Sequence, residues 1–362
     1  MKPIFFLLSF LYFSCSTGQT ASDQNNDQPS DLPTLSYAEA GLNADSIDNL
    51  INLIYDTPHK DFRGLVVIKN NHLVVEEYFG TFWRNTIHDV RSAGKGVTAL
   101  LLGIAIKDGL IKSLDQDVYS RFSKSKNPRK NKDYQRIKLS HLLDMSSGLD
   151  ADSDNSSTPG QAGHWVGMRN WKEYVLNIPV VHEPGSRFVY ADINPVLVGL
   201  AIEEAAGMSL RDYAKEKLFD PLGIEQFYWY TNSSDQTGAA GNLYISGLDF
   251  AKLGLLISNK GRWGNQQIIE ENYIDILVNT KNPDILKVWP WVDSYGLFWY
   301  KKTDTFNGKK LDYLYASGIG GNHLIVVPEH ELVVAIISSA YGRPYQHGRS
   351  YAVMEKVFNA ME

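Results

Sequence analysis

Strand-like segments at the two ends of the chain, with a helix- and loop-rich stretch between them, predict a mixed α/β (α+β) fold. The expected architecture is one antiparallel sheet built from both chain ends and flanked by helices, with an inserted, mainly helical lobe over about residues 110–240. Three observations carry it: an apolar hairpin pattern near the start, strand patterns crowded near the end, and helical spacing between them. A functional site is expected in the cleft between sheet and lobe, where such folds place their ligands.

The first 34 residues stand apart. Lys2 supplies a positive n-region, and Ile4–Phe13 is an apolar run of ten residues, too short to span a bilayer. The run closes on Tyr12-Phe13-Ser14-Cys15, which resembles a bacterial lipoprotein lipobox with Ser14 as the small residue before a lipidated Cys15. Tyr12 stands where leucine is usual, and an ordinary secretory signal is the alternative. Residues 1–15 are therefore expected to be a lipoprotein signal peptide and 16–34 a polar tether. A domain over 35–362 would then be held at the bacterial cell envelope, facing periplasm or surface. Cys15 is the one cysteine of the chain, so the domain has no disulfide, no thiolate metal site and no cysteine nucleophile.

Ala44–Tyr55 has helical spacing, with Asp45 or Ser46 as a possible cap. Gly64–Phe79 reads as a β-hairpin turning at Asn70-Asn71, residues that tolerate positive φ. From Leu110 to Ile224 helical patterns recur at Ser140–Met145, Trp171–Leu176, Pro195–Ala206 and Leu210–Leu218. Gly207 stops the third and Ser209 caps the fourth. The loop Ser146–Gly163, with Trp165 beyond it, is a candidate cap for the cleft, and equally a solvent loop with one packed indole. Phe250–Asn259 is a further helix ending near Gly261. The closing strand patterns are Tyr295–Lys301, Leu311–Ala316, His323–Val327 and Leu332–Ser338, the last two joined by Pro328–Glu331.

At 362 residues, with 43% hydrophobic and 12% aromatic content, the chain is long and apolar enough for a substantial core. A net charge of −6 gives no reason to expect nucleic acid as a partner, and the basic tract Lys124–Lys138 reads as a solvated loop.

Ser92 and Lys95 carry the chemistry. A serine followed three residues later by lysine at a helix start puts hydroxyl and amine on one face. The serine N–H there is one of the unpaired donors of a helix N-terminus, so it can face a developing oxyanion. A lysine desolvated enough to lose its proton can take the serine proton. The same spacing recurs at Ser123/Lys126, but in a polar tract containing Pro128. Only the first pair precedes an apolar helical run, at Val97, Leu100, Leu101, Ile104 and Ile106.

Other chemistries lack their residues. No serine sits in Gly-x-Ser-x-Gly, and His330-Glu331 is not followed by the second histidine of a zinc-protease helix. His141 and Asp144 have helical metal spacing but read as structural. No phosphate- or dinucleotide-binding glycine pattern appears, so neither metal nor organic cofactor is expected.

Two further segments are Glu183–Gly199, containing Tyr190-Ala-Asp192, and Tyr315–Glu329, containing Ala316-Ser317-Gly318-Ile319-Gly320-Gly321. With His141–Leu149, Leu218–Ile224 and Gly241–Gly254, in this order and spacing, they make residues 40–355 resemble the class C β-lactamase-like serine hydrolases. That superfamily includes DD-peptidases, family VIII carboxylesterases and 6-aminohexanoate-dimer hydrolase. The resemblance implies a β-lactamase/transpeptidase-like fold with Ser92 as acylated nucleophile, Lys95 as its partner and Tyr190 as proton shuttle. A lysine beside a tyrosine titrates as a unit with it, and which member is the base stays open.

The resemblance further implies substrate contacts from Asp192, Ser317 and Gly318, and a second oxyanion N–H from Ile319. Two positions depart from the pattern. Asp192 stands where asparagine is usual; an ionised carboxylate only accepts hydrogen bonds, and orienting Lys95 is its other possible role. Ala316 stands where a lysine or histidine usually holds a substrate carboxylate. The expected partner is therefore a small ester or amide, with β-lactamase or DD-peptidase activity as the enzymatic alternative. A non-catalytic protein that binds cell-wall fragments is the alternative of another class, against which serine, lysine and tyrosine together count.

Overall fold

The computed structural model describes residues 32–122 and 133–362. Cys15, the leader, most of the tether and the Ser123/Lys126 pair lie outside the described residues. The main sheet contains β1 (Phe62–Lys69), β2 (His72–Tyr78), β3 (Ser294–Gly296), β4 (Trp299–Phe306), β5 (Lys309–Gly318), β6 (Asn322–Val327) and β7 (Leu332–Ser338). These pair antiparallel in the order β2-β1-β7-β6-β5-β4-β3. Leu65 of β1 faces Glu77 on one side and Ile336 of β7 on the other, so the two chain ends are zipped into one sheet. This is the architecture the sequence predicts.

The β1–β2 turn falls at Asn70 and Asn71, with φ of 52° and 63°. One strand expected over Tyr295–Lys301 is instead a tight hairpin, β3 and β4, turning at Leu297 and Phe298 with φ of 51° and 63°. Both turn residues are buried and apolar, so the hydrophobic pattern runs through the turn without a Gly, Asn or Asp to mark it.

The long helices that position the site and cover the sheet are α1 (Ala44–Asp56), α2 (Lys95–Lys107), α3 (Ile193–Ala206), α4 (Gly247–Ser258) and α5 (Gln346–Asn359). Asn43, rather than Asp45 or Ser46, caps α1 by accepting from the Ser46 N–H. Gly207 ends α3 at φ 72°, and Ser209 caps the following segment by accepting from Asp212 N–H. That segment is α-helical only to Ala214 and then widens into a π-helical turn, Lys215–Phe219. Ser246 caps α4, which starts at Gly247, three residues before the expected Phe250. The sequence reading has no counterpart of α5, whose apolar stripe (Val353, Met354, Val357, Phe358) begins only after a polar first half.

The sheet separates two cores. Val66, Ile68, Leu324, Val326, Val333 and Ala335 face α2, α3 and α4. Leu65, Val67, Ile325, Val334 and Ile336 face α1 and α5. Every residue of β7 is buried, as expected of a strand covered on both faces. Each such Val, Leu or Ile contributes about 1.5–3 kcal/mol. α2 is buried from Lys95 through Ala105, so its N-terminus is set in the interior rather than on a mobile surface. Among the described residues, no single helix is long and apolar enough to cross a membrane.

Candidate active site

Ser92 does not lie within α2 but on the tight 3₁₀ turn Arg91–Gly94 that feeds it, and Lys95 is the first α-helical residue. Arg91 holds φ at 54°, a left-handed value that turns the chain sharply and presents Ser92. The turn is clamped from both sides by glycines. A Cβ on Gly241 (φ 152°) would lie 2.8 Å from the Arg91 carbonyl oxygen, and one on Gly318 would overlap the Val90 carbonyl oxygen. The short pairing of His88-Asp89 with Leu243–Ile245, and the 3.0 Å bond from Val90 N–H to Leu243 O, hold the Gly241 side.

Lys95 is 1% exposed. Its Nζ donates to Ser92 Oγ at 2.8 Å and to Ala240 O at 2.8 Å, and lies 2.9 Å from Asp192 Oδ1. Three acceptors match the three N–H groups of an ammonium. The sequence reading missed Ala240, since a backbone carbonyl has no side-chain signal. Asp192 begins α3, yet its carboxylate makes no capping bond there and is left for Lys95. Of its two implied roles, the structure places it at the lysine; it also lines the cleft.

Tyr190, two residues before, brings its ring to 5.0 Å from Lys95 Nζ. Its hydroxyl interacts with Ser92 and with Tyr300. Burial, and after it the Asp192 charge, push the Tyr190 phenol well above its ordinary value, and the hydrogen bonds from Ser92 and Tyr300 only partly offset this. Tyr300 is raised in the same way by burial and by Tyr190. Trp289 covers the Tyr190 ring at 5.4 Å.

The loop Ser146–Gly163 is pinned as a wall: Ser153 N–H donates to Tyr190 O at 2.9 Å, and Asp192 N–H donates to Ser153 Oγ at 3.1 Å. Trp165 is 2% exposed and packs edge-on to Trp171. Both indoles line a cleft of about 190 Å³ together with Ser92, Asp192, Tyr230 and Ile319. His141 spends a ring nitrogen on the Lys138 N–H of its own helix, and burial pushes Asp144 up to about 6; among the described residues no His, Cys, Asp and Glu group is placed to hold a metal.

Gly318 ends β5, and the residue after it, Ile319, is half exposed at the cleft. Among the described residues, neither the Ser92 nor the Ile319 N–H has a hydrogen-bond acceptor. Gly318 is a point of close approach between β5 and the Arg91–Gly94 turn. The side chain of Ser317 does not face the cleft, which corrects the side-chain contact expected of it. Tyr313 and Tyr315 face the α5 core, while Leu314 and Ala316 face the α2 core. Alternation therefore turns Ser317 away from Ser92, and its Oγ lies 3.5 Å from His347 Nδ1 on α5.

Comparison with known proteins agrees with the fold. The family model described as Beta-lactamase matches residues 56–357. A protein of Escherichia coli O157:H7, provisionally named a D-alanyl-D-alanine carboxypeptidase, is 25% identical over 246 residues, covering 62% of this chain and 55% of its own. The chain thus spans about half the length of that relative. A Bacillus anthracis structure provisionally named a 6-aminohexanoate-dimer hydrolase superposes with a TM-score of 0.72 at 19% identity, covering 91% of this chain and 87% of that one. A class C β-lactamase superposes with a TM-score of 0.66 at 15% identity, over 88% and 96% of the two chains.

Proposed function

The chain belongs to the Beta-lactamase family, and from that premise we propose that it is a serine hydrolase working through an acyl-enzyme on Ser92, with small esters or amides as substrates. The observation that carries this reading is the 2.8 Å contact between Lys95 Nζ and Ser92 Oγ, in a cleft that Ser92 and Ile319 line with unpaired N–H donors.

Ser92 Oγ attacks the substrate carbonyl carbon in the form of the enzyme in which the Lys95–Tyr190 pair has already lost one proton to solvent, and the deprotonated member takes the serine proton. The oxyanion rests between Ser92 N–H and Ile319 N–H, each worth about 3–4 kcal/mol of transition-state stabilisation. Collapse of the tetrahedral intermediate breaks the bond to the leaving oxygen or nitrogen, which takes a proton from the same pair. Tyr190, held neutral by burial, is the member suited to donate it. Water then attacks the acyl-enzyme along the same proton route, releasing the acid and restoring Ser92.

Small esters or amides are preferred because Ala316 occupies the strand position of the superfamily's carboxylate-binding cation, and a methyl group cannot pair with an anion. The provisional name of the Escherichia coli relative favours a second reading, DD-peptidase or β-lactamase action. Hydrolysis of short p-nitrophenyl esters against nitrocefin separates the two, and nitrocefin turnover without esterase activity overturns the preference. A fluorophosphonate probe is expected to label Ser92; a folded protein with no adduct there favours a binding function. The leader composition supports a lipid anchor at Cys15 in the cell envelope, expected to incorporate a fatty-acid analogue that Cys15→Ala loses.

A further inference from the structure

The peptides around Ile319 are hydrogen-bonded in a pattern that singles out one side chain. Gly318 O accepts from Gly321 N–H at 3.2 Å, and Gly320 O accepts from Ala340 N–H at 3.1 Å. Gly320 N–H donates to Gln346 Oε1 at 2.6 Å, and Gly321 O accepts from Ser350 Oγ at 2.7 Å. The remaining carbonyl, Ile319 O, accepts from Asn322 Nδ2 at 3.0 Å. What is left over is the Ile319 N–H, on the peptide bond next to the one Asn322 holds.

Asn322 is fully buried at the start of β6. Its Oδ1 accepts from Ser338 N–H at 3.1 Å, which fixes the amide against the central strand β7. Its Nδ2 also reaches Asp89 O at 3.5 Å, a weak bond by length, and Tyr341 Oη donates to the same carbonyl at 3.1 Å. Asp89 in turn accepts the Arg91 N–H on Oδ1 at 2.9 Å, one residue before Ser92. One buried amide thus touches both chain segments that carry the oxyanion donors, and anchors them to a strand that is fully buried and paired on both sides.

We propose that Asn322 is a positioning residue that sets the separation and aim of the Ser92 and Ile319 N–H groups toward the oxyanion. The proposal rests on the acyl-enzyme reading of Ser92. Preorganised donors act only if they are already placed where charge develops, so a small displacement is felt in the chemical step rather than in ground-state binding. Asn322→Asp keeps an acceptor for Ser338 N–H but loses the donor to Ile319 O. Asn322→Ala loses every bond.

With p-nitrophenyl esters, Asn322→Asp is expected to lower kcat per fluorophosphonate-titrated site by about 10–100-fold with KM within about threefold. The inhibition constant of phenylboronic acid, whose tetrahedral adduct occupies the oxyanion position, should weaken by a similar factor. A merely structural role would lower the titratable fraction or the Tm and leave kcat per site intact, and that result overturns the proposal. Should Asn322→Ala not fold, Asn322→Asp carries the test. Amide exchange at Gly320 and Gly321 gives a readout independent of turnover. Faster exchange in Asn322→Asp is expected, and unchanged exchange overturns the brace whatever the activity. An unsubstituted protein that neither labels at Ser92 nor hydrolyses ester overturns the acyl-enzyme reading instead, and exchange then remains the measure of the brace.

Discussion

Among the described residues, Ser92 and Ser317 each lie beside a side-chain nitrogen, on opposite sides of the sheet, and they are not equivalent. Ser92 accepts from Lys95 at 2.8 Å, opens onto a cleft and has two unpaired N–H donors at hand. Ser317 lies 3.5 Å from His347 Nδ1, which lies 3.3 Å from His323 Nε2, beneath α5. Burial holds His347 below its ordinary value and pushes the fully enclosed His323 down to about 3, so this second cluster is kept neutral. A serine beside a base is thus not a sufficient description of an acylation site. Access, a charged partner and donors for the oxyanion distinguish the two.

The largest effect should come from swapping the two serines' fates. Ser92→Ala is expected to lower ester kcat by about 10⁴-fold or more, and Ser317→Ala by less than about threefold, measured on folded protein. Comparable losses from both would erase the distinction.

Gly318→Ala probes the strand that the two clusters share. Its Cβ would overlap Val90 O, so β5 must retreat from the nucleophile turn. Expected results are a stability loss of about 1–3 kcal/mol in urea unfolding and a drop in kcat of at least about tenfold. Retained kcat would mean that the close approach is not needed.

Asp192→Asn sharpens the charged side of the contrast. The Asp192 charge is the second cause, after burial, of the raised Tyr190 value, so removing it lets Tyr190 deprotonate more readily. If the rising limb of the kcat/KM–pH profile reports proton loss from Tyr190, it should move to lower pH. A shift to higher pH would contradict the assignment.

The neutral cluster predicts the smallest effect, on stability. His323 sits lower in the fold than its ordinary 6.5, so the unfolded chain protonates first as pH falls. Stability contributed by the neutral ring is complete above about pH 6.5 and is lost as pH drops toward 3, at up to about 1.4 kcal/mol per pH unit. His88, lowered to about 4 by burial, adds in the same direction. Urea midpoints at about pH 7.5 and about pH 5 should differ less in His323→Phe than in the unsubstituted protein.

Much of this molecule is legible in its sequence because the signals are local. The hairpin at Asn70-Asn71, the stop at Gly207 and the Ser209 cap each depend on a few neighbouring residues. The joining of both chain ends into one sheet follows from strand patterns at each end, and the apolar run after Lys95 distinguishes Ser92/Lys95 from Ser123/Lys126. By contrast, the β3–β4 turn is hidden because Leu297 and Phe298 are themselves core residues, and α5 because half of it is polar.

At the site, the sequence by itself pointed to Ser92 and Lys95 and, through family resemblance, to Tyr190, which the fold brings together. Tertiary structure decided that Asp192 pairs with Lys95, that Ala240 O completes the ammonium's partners, and that Asn322 holds the turn before which the Ile319 N–H stands. It also decided which way Ser317 points. β5 is apolar on both faces from Tyr313 to Ala316, so alternation leaves no polar mark of which side meets Ser92. Carbonyl partners, glycine clearances and strand faces are set by register between segments more than 100 residues apart, and no local pattern encodes that register.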